Sequence, residues 1–208
     1  MQIGLHGHMD CNQRDNFGKT IPAVIAIKNR ITQQMNFSID KSIEILERTP
    51  AVLVTLTKDL SSEWTDNDEG EDTWSVFTVI GHLIHGEKTD WITRTEIILS
   101  DSAIKTFTPF DRFAQFEISK GKTLPELLME FEIIRASNID KLRKLQINEN
   151  DLRKTGIHPT FGEVTLSQLL SAWVVHDLNH ISQISRIMAK QFKEAAGPWI
   201  EFLKILRQ

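Results

Sequence analysis

From Leu166 to Lys190 the apolar residues fall at helical spacing, and two histidines four positions apart lie inside the run. Leu170, Trp173, Val174, Leu178, Ile181, Ile184 and Ile187 predict a helix packed over much of its surface. On such a helix His176 and His180 stack on one face. Buried imidazoles need partners. Two ordinary polar positions on a wet face are the bland alternative. The sharper reading is one shared transition-metal ion, for which neutral imidazole is a good ligand.

A third ligand must come from elsewhere in the chain. His82 and His85 lie in Val79-Ile80-Gly81-His82-Leu83-Ile84-His85-Gly86-Glu87. His82 is preferred because it follows Gly81 inside the apolar run. His85 is expected to line the pocket or to face solvent. Gly81 and Gly86 are poor helix residues and mark places where something packs closely on the backbone. Three histidines would leave a coordination position open to water or substrate, as catalytic zinc sites do. The pair also resembles HExxH, but Asp177 stands where that motif has Glu, so metalloprotease chemistry is not expected. Asp177 is a candidate for proton transfer or for hydrogen bonding to a ligand at the site. His85 is the other. An exposed helix acid is the plain alternative for Asp177, and a loop position is the expected one for His158.

The rest of the pattern is helical. Ile39, Ile43, Leu46, Val52, Leu53, Leu56 and Leu60 predict a helix over 38–60, interrupted near Thr49 by Pro50. A second helix is expected over 75–100. A third, over 123–145, has Thr123 as cap and Pro125 and Glu126 in its first turn. Thr165 caps the fourth, 166–190. A short terminal helix covers 199–206. The connection 101–122 carries Phe107, Phe110, Phe113 and Phe116 and is expected to pack down. Trp74, Trp91, Trp173 and Trp199 read as core. No sheet is expected. The fold class is all-α, a four-helix bundle with a long crossover connection over 37–208. Residues 1–36 read as an extension, disordered or non-native, with Met35 an alternative start and His6 and His8 incidental.

Composition narrows the function. The net charge is −4 with the acids scattered, so there is no footprint for nucleic acid. No run of apolar residues is long enough for a membrane helix. Cys11 is the only cysteine, which excludes an internal disulfide and points to a cytoplasmic protein. No glycine-rich phosphate loop or GxSxG is present.

Trp74-Ser75 leading to Gly81-His82-Leu83, then Phe161-Gly162-Glu163-Val164-Thr165-Leu166, then His176-Asp177-Leu178-Asn179-His180-Ile181-Ser182-Gln183-Ile184 resembles the DinB-like superfamily. Asp90-Trp91, Pro109-Phe110-Asp111-Arg112-Phe113-Ala114-Gln115 and Gly197-Pro198-Trp199 resemble a bacterial subgroup of it. The resemblance spans residues 38–206. It implies a four-helix bundle, often a homodimer, with a divalent metal ion (Ni, Zn or Mn) on His82, His176 and His180. Where related sequences often carry Asp, this chain has His85. The superfamily is similar to the bacillithiol S-transferases and the mycothiol-dependent maleylpyruvate isomerases. The implied function is a metal-dependent S-transferase or hydrolase that activates a thiol or water, acting on a small molecule with a low-molecular-weight thiol. A non-catalytic, stress-associated metal-binding protein and a metal-free helical interaction domain are the rival readings.

Overall fold

The computed structural model describes residues 36–207. The reading of residues 1–36 as an extension, with His6, His8, Cys11 and Met35, falls on residues that lie, Asn36 apart, outside the described ones. Among the described residues are eight α-helices and one β-hairpin: α1 (Ile39–Leu46), α2 (Thr49–Thr57), α3 (Ser62–Thr65), α4 (Val76–Thr89), α5 (Trp91–Leu99), α6 (Ala114–Ser119), α7 (Leu124–Lys144), β1 (Thr155–His158), β2 (Gly162–Thr165) and α8 (Leu166–Lys190). They form a four-helix bundle. Its arms are α1 with α2, α4 with α5, α7, and α8. α4 packs on α7 and α8, α1 on α8, and α2 on α7.

Local chemistry explains the element ends. Ser75 caps α4 by accepting the Thr78 N–H at 3.2 Å. Thr165 accepts the Gln168 N–H at 3.2 Å while Gln168 Oε1 accepts the Thr165 N–H at 2.8 Å, a reciprocal box at the start of α8. The first arm breaks between Leu46 and Thr49, where the proline predicts it. The second arm also breaks, at Asp90, which the unbroken 75–100 reading missed. There Trp91 turns back so that its Nε1 lies 3.3 Å from where a Gly86 Cβ would sit. The terminal segment is 3₁₀ rather than α, over Gly197–Glu201 and Lys204–Arg207.

The expectation of no sheet is corrected by the hairpin. β1 and β2 pair antiparallel, Thr155 against Thr165 and His158 against Gly162. Four-residue strands carry too little alternation to be read from sequence. The long connection adds to them, since Phe107 N–H donates to Ile157 O at 2.9 Å and Ile157 N–H to Lys105 O at 2.8 Å. A Cβ at Gly156 would lie 2.6 Å from the Phe107 ring, so only glycine admits that buried aromatic. Phe113 and Phe116 are exposed, against expectation, and Trp199 is 69% exposed. They follow or lie beyond the part of the chain that the hairpin pins.

The apolar core has two parts. One contains Ile43, Leu46, Trp91, Ile139, Leu142, Leu170 and Trp173. The other contains Leu53, Val79, Ile80, Leu83, Leu127, Phe131, Ile184 and Ile187. Along α7 and α8 the buried residues between these sets are polar: Arg135, Asn138, Asp177 and His180. Arg135 is 1% exposed and forms a paired contact with Asp177 (Nη1 to Oδ2 2.6 Å, Nη2 to Oδ1 3.0 Å) and another with Glu87 Oε1 at 2.8 Å. Its Nη1 also donates to Leu46 O at 2.8 Å. In a continuous helix that carbonyl would accept from residue 50, but Pro50 has no N–H. Trp173 Nε1 and Asn138 Nδ2 donate to Glu87 at 2.9 and 3.0 Å. The belt therefore ties all four arms together at the level of both breaks. Arg135→Leu leaves two buried carboxylates uncompensated, and urea unfolding is expected to show a loss of about 3–5 kcal/mol. Replacing all three charged groups by apolar ones of similar volume should cost less than that single change.

Candidate metal centre

α4 presents His82 and α8 presents His176 and His180, one turn apart. His82 Nε2 and His180 Nε2 each lie 3.1 Å from His176 Nε2. His82 and His180 are buried and His176 is half-buried. The rings are braced from outside the cluster. Trp74 leans on His82 at 4.9 Å between centroids, Phe110 meets its edge at 5.4 Å, and Trp91 meets His176 at 5.1 Å. His180 Nδ1 pairs with Gln183 Oε1 at 2.8 Å, which leaves its Nε2 as the proton-free nitrogen.

Burial holds these imidazoles neutral. It lowers the pKa of His82 to about 3, helped by the neighbouring His180. It lowers that of His176 to about 2, helped by His180, His82 and Arg135. Burial also lowers His180, against the contact with Gln183 and the charge of Asp177. Three neutral nitrogens that face one another can share at most a proton or two, so lone pairs are left opposed. A cation resolves this. Nitrogens bound to one ion at about 2.0–2.1 Å stand about 3.0–3.4 Å apart, which matches the two spacings from His176 Nε2, and all three ligand nitrogens lie within 4.8 Å of one another. The three side chains could hold a single ion, and they are the one such group found among the described residues.

A cavity of 680 Å³ opens beside the cluster. Trp74, Phe110 and Pro109 supply apolar wall, and Arg112, Arg186, Glu69 and Asp72 supply charge. Glu69 is clamped by Arg186 (2.8 and 2.7 Å) and Lys190 (2.9 Å). Arg186 above all, with Lys190, lowers its carboxyl to about 2. His158 lines the cavity from the end of β1, its Nδ1 accepting the Thr160 N–H at 3.1 Å.

The two other candidates sit elsewhere. Asp177 is fully buried with both carboxylate oxygens on Arg135, so it is neither an exposed acid nor part of the cavity wall. Its role is to anchor the helix turn that carries both histidines. The proton-transfer role read for it from sequence is not what its contacts support. His85 is buried against Phe110 at 4.7 Å and stands apart from the three-nitrogen group. Burial lowers its pKa, opposed by Asp111. Sequence reading missed Arg135, Gln183 as the partner of His180, and the Glu69–Arg186–Lys190 cluster. Gln183 was findable, since it stands three residues after His180 on the same helix. Glu69 and Arg186 are 117 positions apart and left no such signal.

The fold and the site thus define a four-helix bundle with a three-histidine centre beside an open cavity. Residues 45–184 match the family model of the DinB superfamily, and the chain belongs to that superfamily. A protein of Bacillus cereus (strain AH820) named for a proposed metal-dependent hydrolase activity is 26% identical over 162 residues, 77% of this chain and 89% of the relative. A protein of Bacillus anthracis (strain A0248) with the same name matches at the same identity and coverage. Among solved structures, YfiT from Bacillus subtilis, "a probable metal-dependent hydrolase with an unusual four-helix bundle topology", aligns with a TM-score of 0.64. It is 22% identical, with 77% of this chain and 93% of YfiT covered. The metal-dependent names and the three-histidine cluster together point to a divalent metal ion. No helix among the described residues is long and apolar enough to cross a membrane.

Elemental mass spectrometry of untagged protein should find about one divalent ion per chain, and none in a His176→Ala/His180→Ala double variant. Acid should destabilise the metal-free protein. The folded pKa values of His82 and His176 lie below the unfolded value of 6.5, so the unfolded state takes the protons first. Stability from these groups is fully present above pH 6.5 and declines as pH falls towards 3. The urea midpoint should drop between pH 7.5 and 5, and drop less in His176→Ala.

Proposed function

We propose that the chain is a divalent-metal-dependent enzyme of the thiol-transferase type, with His82, His176 and His180 as ligands and the adjoining cavity as substrate site. The convergence of three neutral nitrogens on one point at the edge of that cavity carries the reading. Bound there, the ion supplies Lewis acidity, which favours the ionised form of a thiol or water beside it. The chain's own residues do the rest. Burial keeps the three imidazoles unprotonated, Gln183 fixes the tautomer of His180, and the Asp177–Arg135 pair holds the turn on which two ligands stand.

Two features favour a thiol over water. A free thiol loses its proton near pH 8.5, against about 15.7 for water, so it needs far less help. Glu69 is a half-buried carboxylate of the wall, and with its pKa lowered to about 2 by two cations it is a poor general base. Arg112 offers a contact to an anionic group of a substrate, Arg186 being paired with Glu69, and Trp74 and Phe110 offer surface to an apolar electrophile. Hydrolysis is the second reading, supported by the names of the Bacillus relatives. A non-catalytic metal-binding protein would have no need of the cavity. A homodimer is supported by Val175 and Leu178, apolar and exposed on the outer side of α8.

The test is turnover of a chromogenic aryl halide by protein loaded with Zn, Ni or Mn, with and without each of several small thiols. Thiol-dependent consumption that falls to background in His180→Ala is expected. Thiol-independent cleavage of esters or amides would replace this reading with the hydrolase. No turnover of either kind would favour the non-catalytic one.

A further inference from the structure

Eight buried side-chain polar atoms among the described residues lack a hydrogen-bond partner. Four of them belong to three residues at the contact of α4 with α6: His82 Nδ1, both amide atoms of Gln115, and Ser119 Oγ. Buried polar atoms are seldom left alone, and a cluster of them calls for a reason. Gln115 is 1% exposed and Ser119 is 6% exposed. Both stand over the turn that carries His82. A Cβ on Gly81 would collide with the Ser119 hydroxyl and lie 3.7 Å from Gln115 Cβ. Gly81 therefore lets α6 approach the backbone next to His82. Gln115 and Ser119 are four apart on α6 and share one face of it. The Gln115 side chain is near enough to oppose part of the pKa depression that burial imposes on His82.

We propose that Gln115 is a positioning residue for His82, its Oε1 accepting the His82 Nδ1 proton while its Nε2 donates to Ser119 Oγ. One chain of bonds, reached by turning the Gln115 side chain, satisfies all four atoms. It also leaves His82 Nε2 as the proton-free nitrogen that faces His176. His180 already has such an arrangement, with Gln183 on its Nδ1 at 2.8 Å. The two outer ligands of the cluster are then each held by a glutamine, one on α8 and one on the crossover connection. Histidine ligands commonly owe their tautomer and ring orientation to such a partner, and losing it typically costs 10–100-fold in metal affinity. The effect on metal retention rests on the reading of the cluster as a metal centre. The effect on the tautomer does not.

The test uses the full chain, freed of metal, in wild-type, Gln115→Leu and Gln115→Glu forms. Long-range proton–nitrogen NMR reads the His82 tautomer, and a chelator competition reads the affinity for zinc. Wild type should show His82 protonated at Nδ1. Gln115→Leu should shift it towards Nε2–H and weaken zinc binding by about 10–100-fold. Gln115→Glu keeps an acceptor oxygen and should restore both. An Nε2–H tautomer in wild type overturns the proposal, as do an unchanged tautomer and affinity in Gln115→Leu. If Gln115→Leu does not fold, the wild-type spectrum alone decides. A wild-type chain with the Nδ1–H tautomer but no zinc uptake would uphold the positioning role and remove the metal-dependent function.

Discussion

The structure depends on one guanidinium. Arg135 stands between two apolar halves of a bundle and meets Asp177 on α8, Glu87 on α4 and the Leu46 carbonyl at the end of α1. Most of the packing on either side of it is apolar and tolerant of small shifts. A paired guanidinium–carboxylate contact tolerates few, because its geometry is planar and its desolvation cost is offset only when its carboxylate partners are in place. Burial of this kind need not raise stability above that of an apolar core. It does set the register of α8 against α4 and α7, which decides where His176 and His180 point.

The belt also sets the charge of its surroundings. One guanidinium faces two carboxylates, so the formal sum of Arg135, Glu87 and Asp177 is −1. The adjoining histidines are held neutral by burial. A cation at the three-histidine point offsets the excess, whereas protonating the histidines would set like charges a few ångströms apart. The cavity wall carries Arg112 and Arg186 together with Glu69 and Asp72, so its formal charges balance. The three imidazoles are uncharged, and the anchor lies beneath them.

The helical arms were legible in the sequence because apolar residues at helical spacing, capping threonines and Pro50 are all local signals. The family was legible too, from Trp74-Ser75, Gly81-His82-Leu83 and the 176–184 run taken together. The hairpin was not, since its strands are short and it is completed by Lys105 and Phe107 from a distant connection. Asp177 shows the limit most clearly. Its neighbours His176 and His180 made it look like chemistry, yet its partner is a residue 42 positions away that no local pattern marks. His85 misled for the same reason: three residues from His82 on a helix, it is turned away from the cluster and buried against Phe110.

By itself the sequence determined what recurs within a few residues: the helices, their caps, the break at Pro50, and two histidines on one face of a helix. Hydrogen bonding along the backbone and side-chain spacing act over that range, so the pattern is sufficient. Only the tertiary structure decided which polar residues pair across the core. It brought His82 within 3.1 Å of His176 over 94 positions of chain, spent Asp177 on Arg135, and laid Gln115 over the turn of His82. Those outcomes follow from where packing leaves a buried charge or lone pair in need of a partner, and that need exists only once the helices have met.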